Sequence, residues 1–388
     1  MATASQPSPQ EIQAQNDMVR RLVVGNSIKM VQPIFSQNVD ISAQNVVNIG
    51  QNTIRGAGLL LGFIIEVSGN VTNGAADAAA LSPFGVANVV SQFRFDDLSG
   101  YTRIQTSGRH LAMLNTIRQG YAYGGAYSPN LPIDYGNNFD VFQGPATLAG
   151  AATGDVRAVY YMPISYSPSD LRGAIWMATV GSTANLQITL NRDIFVGATN
   201  PLNAVYTGNA GGDWTDNVTI NVYQVYLDQT PRMQDGTPLL PPLDLDTVYD
   251  IKETTFSGMT VGQDYPMAYS NYRAFLSTVV IYDNAGVFGD GDDINYFSLA
   301  SANFTNLFKV SPKIAALNAR MAIMSDMPPG TYLFDSRETP INTINFGNME
   351  LNINAADADN PARCIVGYEA FARIGQLKTA SSLAGGGG

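Results

Sequence analysis

Apolar positions along this chain fall mostly in short runs that alternate with polar residues and end at turn formers. Residues 59–67 form a run that is apolar but for Glu66, the pattern of a strand covered on both faces. Val156, Ala158 and Tyr160 alternate with polar or outward residues, and Val218, Ile220, Val222 and Val225 keep a similar rhythm with one slip. Further strands are predicted over 89–95, 186–190, 275–282, 332–334, 341–346, 351–353 and 364–371.

Helical periods are few. Ser8-Pro9-Gln10-Glu11 is a capping box with proline in the first turn, and Ile12, Val19, Leu22 and Val23 then fall near one face until Gly25. A second helix is predicted over 109–119, stopped by Gly120, and a short one after Ser167-Pro168-Ser169-Asp170. Another follows Ser311-Pro312, with Ile314, Leu317, Met321 and Met324 on one face and Pro328-Pro329-Gly330 at its end. Many short strands between turn-rich segments predict an all-β sandwich or jelly roll with a few short helices.

Two segments lack periodicity. Residues 121–155 make a long loop containing Tyr121, Tyr123, Tyr127 and Tyr135, and loops of that length are usually functional or interfacial. Residues 231–246 hold Pro231, Pro238, Pro241 and Pro242 and read as a stiff connector, which places a domain boundary near Pro241. A Ser-Pro helix among strands on each side hints at two copies of one architecture.

Composition narrows the chemistry. Among 388 residues the net charge is −11, which argues against broad binding to a phosphate backbone. The basic residues divide into 16 Arg and 5 Lys. Protein interfaces favour Arg and Tyr over Lys, so the ratio fits a chain that hides much of its surface; codon usage in a GC-rich genome gives the same ratio. One cysteine, Cys364, excludes an intrachain disulfide and a cysteine zinc site, and one histidine, His110, excludes a multi-histidine metal site within a chain. Residues 1–10 have neither the charge nor the apolar block of a secretory signal, and the longest strongly apolar stretch, 56–65, is too short to span a bilayer.

No catalytic set emerges. His110 lacks a nucleophile elbow and reads as a structural helix residue. Cys364 reads as a buried thiol in an apolar strand. Asp290-Gly291-Asp292-Asp293 departs from the calcium-loop spacing and reads as a solvated acidic turn. No cofactor, metal site or enzymatic activity is expected.

Several segments resemble the major capsid proteins of tectiviruses, the membrane-containing double-stranded-DNA bacteriophages. They are Thr106-Ser107-Gly108-Arg109-His110-Leu111, Pro145-Ala146-Thr147, Tyr166-Ser167 with Asp170-Leu171, Asn200-Pro201-Leu202 and the run from Tyr223 to Gln229. Beyond the connector the likeness continues in Leu276-Ser277-Thr278, Asp293-Ile294-Asn295-Tyr296, Ala302-Asn303-Phe304 and Gly367-Tyr368-Glu369. The order is kept over roughly residues 55–370.

The resemblance implies a double jelly roll: an N-terminal arm and helix over 1–40, a first jelly roll over 41–241, a second over 242–375 and a flexible tail over 376–388. It implies a homotrimer with a pseudo-hexagonal outline that tiles an icosahedral shell around an internal membrane. Partners would be neighbouring trimers, minor capsid proteins such as penton and cementing proteins, and membrane lipids, with no direct specific nucleic-acid binding. Arg20, Arg21 and Lys29 would lie near the membrane, and Tyr121, Tyr123, Tyr127 and Tyr135 at a subunit contact or on the outer surface. The alternative from the residues alone is a soluble carbohydrate-binding or carbohydrate-active β-sandwich protein.

Overall fold

The computed structural model describes residues 7–50, 53–54, 56–119, 141–178, 183–196, 203–207, 212–215, 217–284, 287–288, 292–301, 304–323, 327, 330–343, 348–358 and 362–374. Helix α1, Pro9–Asn26, opens it. Both halves of its capping box form: the Ser8 hydroxyl accepts from the Glu11 amide, and the Glu11 carboxylate accepts from the Ser8 amide.

Eight principal strands then build the first jelly roll: β1 Ile28–Val39, β2 Val46–Ile49, β3 Leu59–Thr72, β4 Val90–Asp96, β5 Thr102–Thr106, β6 Thr153–Pro163, β7 Asn185–Leu190 and β8 Val218–Asp228. One sheet runs β1-β8-β3-β6 and the facing sheet runs β5-β4-β7-β2. The second jelly roll repeats this order with β9 Thr247–Ser257, β10 Asp264–Tyr269, β11 Arg273–Asn284, β12 Ile294–Ser301, β13 Phe304–Val310, β14 Thr331–Asp335, β15 Met349–Ala355 and β16 Arg363–Arg373. Its sheets run β9-β16-β11-β14 and β10-β15-β12-β13. Each roll also places a twelve-residue helix between its fifth and sixth principal strands: α2 Gly108–Gln119 and α3 Pro312–Ile323.

The strand patterns explain the layers. In β8, Val218, Ile220 and Val222 point inward and pack with Phe63, Ile65 and Val67 of β3, while intervening residues face outward. A separate core lies between the sheets of the second roll, around Tyr282, Phe297, Leu351, Ile353 and Val366. The rolls meet edge to edge where β5 pairs in parallel with β9, Ile104 opposite Ile251 and Gln105 opposite Lys252. One sheet of each roll thereby becomes a single continuous sheet.

Three expectations change. Residues 28–39, assigned to the N-terminal arm, form β1, the strand that pairs with β8 along nearly its whole length; the first roll therefore begins near Ile28 rather than residue 41. Its apolar positions divide between exposed Ile28 and Val31, half-buried Met30, Ile34 and Phe35 and buried Val39, and Pro33 sits at a register shift, which suits an edge strand and hides it from pattern reading. After Ser167 the chain makes a turn, not a helix: the Asp170 amide donates to the Ser167 hydroxyl, the Arg172 side chain grips Asp170, and Gly173 follows at φ 91°. In the segment expected as a strand over 341–346, only Ile341–Asn342 is strand among the described residues.

Candidate assembly surfaces

The connector is tied to the N-terminal helix. A helical turn, Pro242–Leu245, buries the Asp244 carboxylate. Asp244 accepts from Asn16 Nδ2 at 2.9 Å and from Arg20 Nε and Nη2 at 2.5 and 2.7 Å, and Asn16 Oδ1 accepts from the Leu243 amide at 3.0 Å. Hydrogen bonding to Asp244 holds the Arg20 guanidinium above its ordinary pKa. Beneath the helix, Val23 packs on Leu59, Leu61, Leu171, Val225 and Leu227. The three basic residues singled out above therefore differ. Arg20 is part of a clamp between α1 and the connector, whereas Arg21 and Lys29 are exposed with no acidic partner among the described residues. Ile12, Met18, Leu22, Ile28 and Val31 are exposed on α1 and β1. Among the described residues no helix is long and apolar enough to cross a membrane.

The seam between the rolls is built by α2. Ser107 caps it, accepting from the His110 amide at 3.3 Å and donating to Glu253 of β9 at 2.6 Å. Arg109 lies 3.4 Å from the same Glu253 carboxylate. One turn on, Met113 and Ile117 join Val279, Ile281, Leu333 and Ile365 of the second roll in one buried cluster. Arg118 donates to the fully buried Glu369 at 3.2 Å, Ser277 donates to Glu369 at 2.8 Å, and the Tyr249 hydroxyl donates to it as well. The Arg118 guanidinium also lies over the rings of Tyr166 and Tyr249. Beside this network Asp250 accepts from Tyr101 of the first roll and from Arg273 of the second.

His110 sits on this seam. Its Nδ1 shares a hydrogen bond with Thr106 Oγ1 at 2.6 Å, and its Nε2 is buried without a partner. Burial pushes its pKa down to about 4, so the ring is neutral near pH 7. It rests on Gly367 so closely that a Cβ there would lie 2.3 Å from Nε2. The ring and its Thr106 partner are both buried, and the chemistry of the seam among the described residues is packing and charge neutralisation. Cys364 is buried in β16, and burial raises its thiol pKa well above normal.

Tyr121, Tyr123, Tyr127 and Tyr135 lie outside the described residues, as do Asp290 and Gly291. Asp292 lies 3.6 Å from Lys313 with both side chains largely exposed. Asp293 accepts from Asn284 Nδ2 at 3.3 Å. No group of three metal-binding side chains occurs among the described residues.

This architecture has close counterparts. The model of the P3 major capsid protein N-terminal domain matches residues 3–230, and that of the C-terminal domain matches residues 246–384. The chain belongs to the P3 major capsid protein family. The major capsid protein P3 of Enterobacteria phage PRD1 is 35% identical over 380 residues, covering 96% of this chain and 95% of that protein. The likeness thus extends through the N-terminal residues. Two solved structures share the fold at low identity. One, of Sulfolobus Turreted Icosahedral Virus, covers 91% of this chain and 93% of its own, at 13% identity and a TM-score of 0.61. The other, a quasi-atomic model of the PBCV-1 virus capsid, covers 89% and 94% at 10% identity and a TM-score of 0.53. P3 family members are structural capsid proteins rather than enzymes, so the carbohydrate-active alternative is not favoured. The two family models divide at residues 230 and 246, on either side of the connector that Asp244 fastens to α1.

Proposed function

We propose that this chain is the major capsid protein of a tectivirus-type phage, in which three copies form a capsomer of six jelly rolls with a pseudo-hexagonal outline, and capsomers tile an icosahedral shell around an internal membrane. The observation that carries the reading is the repeat within the chain. Two rolls of the same strand order stand side by side through one continuous sheet, so three chains close a ring of six similar units. Family membership supports self-association and a place in the virion.

Finer parts of the reading follow from it. Assembly takes place in the host cytoplasm, and minor capsid proteins such as penton and cementing proteins complete the shell. The acidic body makes no sequence-specific contact with nucleic acid. The N-terminal region faces lipid. Arg21 and Lys29 attract anionic headgroups by about 1 kcal/mol each near the surface, and repetition over a lattice makes this weak attraction sufficient. The tyrosines of the long loop make contacts across subunits or on the outer surface.

Sedimentation of the purified chain tests the central claim. A stable species of three chains is expected, and a well-folded monomer at micromolar concentration would overturn it. For the lipid contact, replacing Arg21 and Lys29 by Gln should weaken binding to anionic vesicles while leaving the trimer intact. The parent's vesicle binding must also fall as salt shortens the Debye length. Unchanged binding in both assays removes the electrostatic role.

A further inference from the structure

Helices α2 and α3 occupy corresponding places. Each has a serine immediately before it, Ser107 or Ser311, whose carbonyl accepts the first helical hydrogen bond and whose hydroxyl accepts from the amide three residues on, at His110 or Ile314. Each packs against the fourth and sixth strands of its own roll. Aligned on those serines, His110, Met113 and Ile117 correspond to Ile314, Leu317 and Met321.

The surroundings of the two triplets differ completely. His110, Met113 and Ile117 are 1%, 1% and 4% exposed because they lie on the neighbouring roll of the same chain. Ile314, Leu317 and Met321 are 47%, 52% and 70% exposed. On α3 it is the small residues Ala315 and Ala319 that face the chain's own core, so the large apolar side chains project outward.

A matching surface lies on the first roll. In the second roll, the outward row that receives α2 includes Val279 opposite Gly367 and Leu333, buried by the helix. The equivalent sheet of the first roll carries Ile64 opposite Tyr161 and Tyr223 on its outward side, all half-buried. The strand edges agree. Within the chain β5 pairs with β9; the corresponding strands β13 and β1 each stand at the end of their sheets among the described residues.

We infer that α3, through Ile314, Leu317 and Met321, docks on the outer face of the first jelly roll of a second copy of this chain, around Ile64, Tyr161 and Tyr223, repeating between subunits the seam that α2 makes within one. The inference rests on the self-association proposed above and identifies the surface that carries it. One occupant fits both its apolar character and its position: a roll that presents the same sheet face that α2 already covers in the chain.

The test uses the full chain. Leu317→Asp and Met321→Asp change exposed side chains, so the circular dichroism of each variant should match the parent's. Their trimer should dissociate at a concentration about tenfold or more above the parent's, as expected for a central apolar interface residue. Val261→Asp, on an exposed apolar residue of the loop between β9 and β10, should leave the trimer unchanged. In a second assay, Met321→Cys should resist maleimide in the oligomer while Val261→Cys reacts. A parent that sediments as a monomer overturns the capsomer reading itself. A trimeric parent whose Leu317→Asp variant stays trimeric, or whose Met321→Cys reacts as fast as Val261→Cys, overturns only the docking of α3.

Discussion

Helices α2 and α3 begin under the same serine cap, run for twelve residues and lean on corresponding strands, yet one lies inside the chain and the other on its surface. Backbone architecture does not account for the difference. What differs is the neighbour: the second roll stands against α2, and no part of the described chain stands against the outer face of α3. A jelly roll followed by another can bury its helix immediately, whereas the large apolar residues of α3 are left exposed in the described chain. The side chains record this. α2 carries charge as well as bulk, with Arg109 and Arg118 meeting Glu253 and Glu369 across the seam, whereas α3 turns alanines inward and its larger apolar residues outward.

The largest effect that sharpens this contrast is at Glu369. It is fully buried and serves Arg118, Tyr249 and Ser277, so Glu369→Ala leaves a buried guanidinium without its counter-charge. Unfolding measured at one protein concentration should show a loss of about 4 kcal/mol; a loss below about 1 kcal/mol would mean that the seam tolerates an open charge.

Next is the paired truncation of matching positions. Met113→Ala removes a side chain from the buried seam cluster and should destabilise the chain by about 3 kcal/mol. Leu317→Ala, at the corresponding position of α3, should change chain stability by less than about 0.5 kcal/mol and act on association alone. Equal losses in chain stability would erase the distinction between the two helices.

How much of this was legible beforehand depends on who the neighbour is. Strands whose covering faces are completed nearby were readable, β8 from alternation and β3 from its apolar run. β1 was not, because its apolar residues follow no regular alternation and Pro33 interrupts it at a register shift. Nor was β9, whose Asp250 and Glu253 look like surface acids until Tyr101, Arg273, Ser107 and Arg109 arrive from elsewhere. The stripe on α3 was visible as Ile314, Leu317 and Met321, but periodicity cannot say what covers a stripe. Arg20 read as one of three basic residues facing lipid; its partner Asp244 lies 224 positions away. His110 read correctly as structural, although its closeness to Gly367 required the fold.

A third experiment uses pH. The unfolded chain binds a proton at His110 as pH falls below about 6.5, while the buried ring resists until about 4. The unfolded state therefore holds more protons in that window, and stability, complete above it, falls as pH drops through it. Between pH 7 and pH 5 the loss from this group is about 2 kcal/mol. Urea unfolding of His110→Gln should lack that part of the slope; an identical slope would place the acid sensitivity elsewhere. The smallest effect compares the caps. Ser107→Ala should lower stability by about 1 kcal/mol, more than Ser311→Ala, because Ser107 also donates to Glu253 across the seam. Reversal of that order would indicate that the Glu253 contact adds nothing.

The most direct test is an electron cryomicroscopy reconstruction of the purified oligomer viewed along its axis. Three chains forming six barrels are expected, with a helix in every seam between barrels: α2 within chains and α3 between them, alternating around the ring. A ring of other stoichiometry, or a trimer in which the Ile314, Leu317 and Met321 face of α3 points into solvent, would contradict the account.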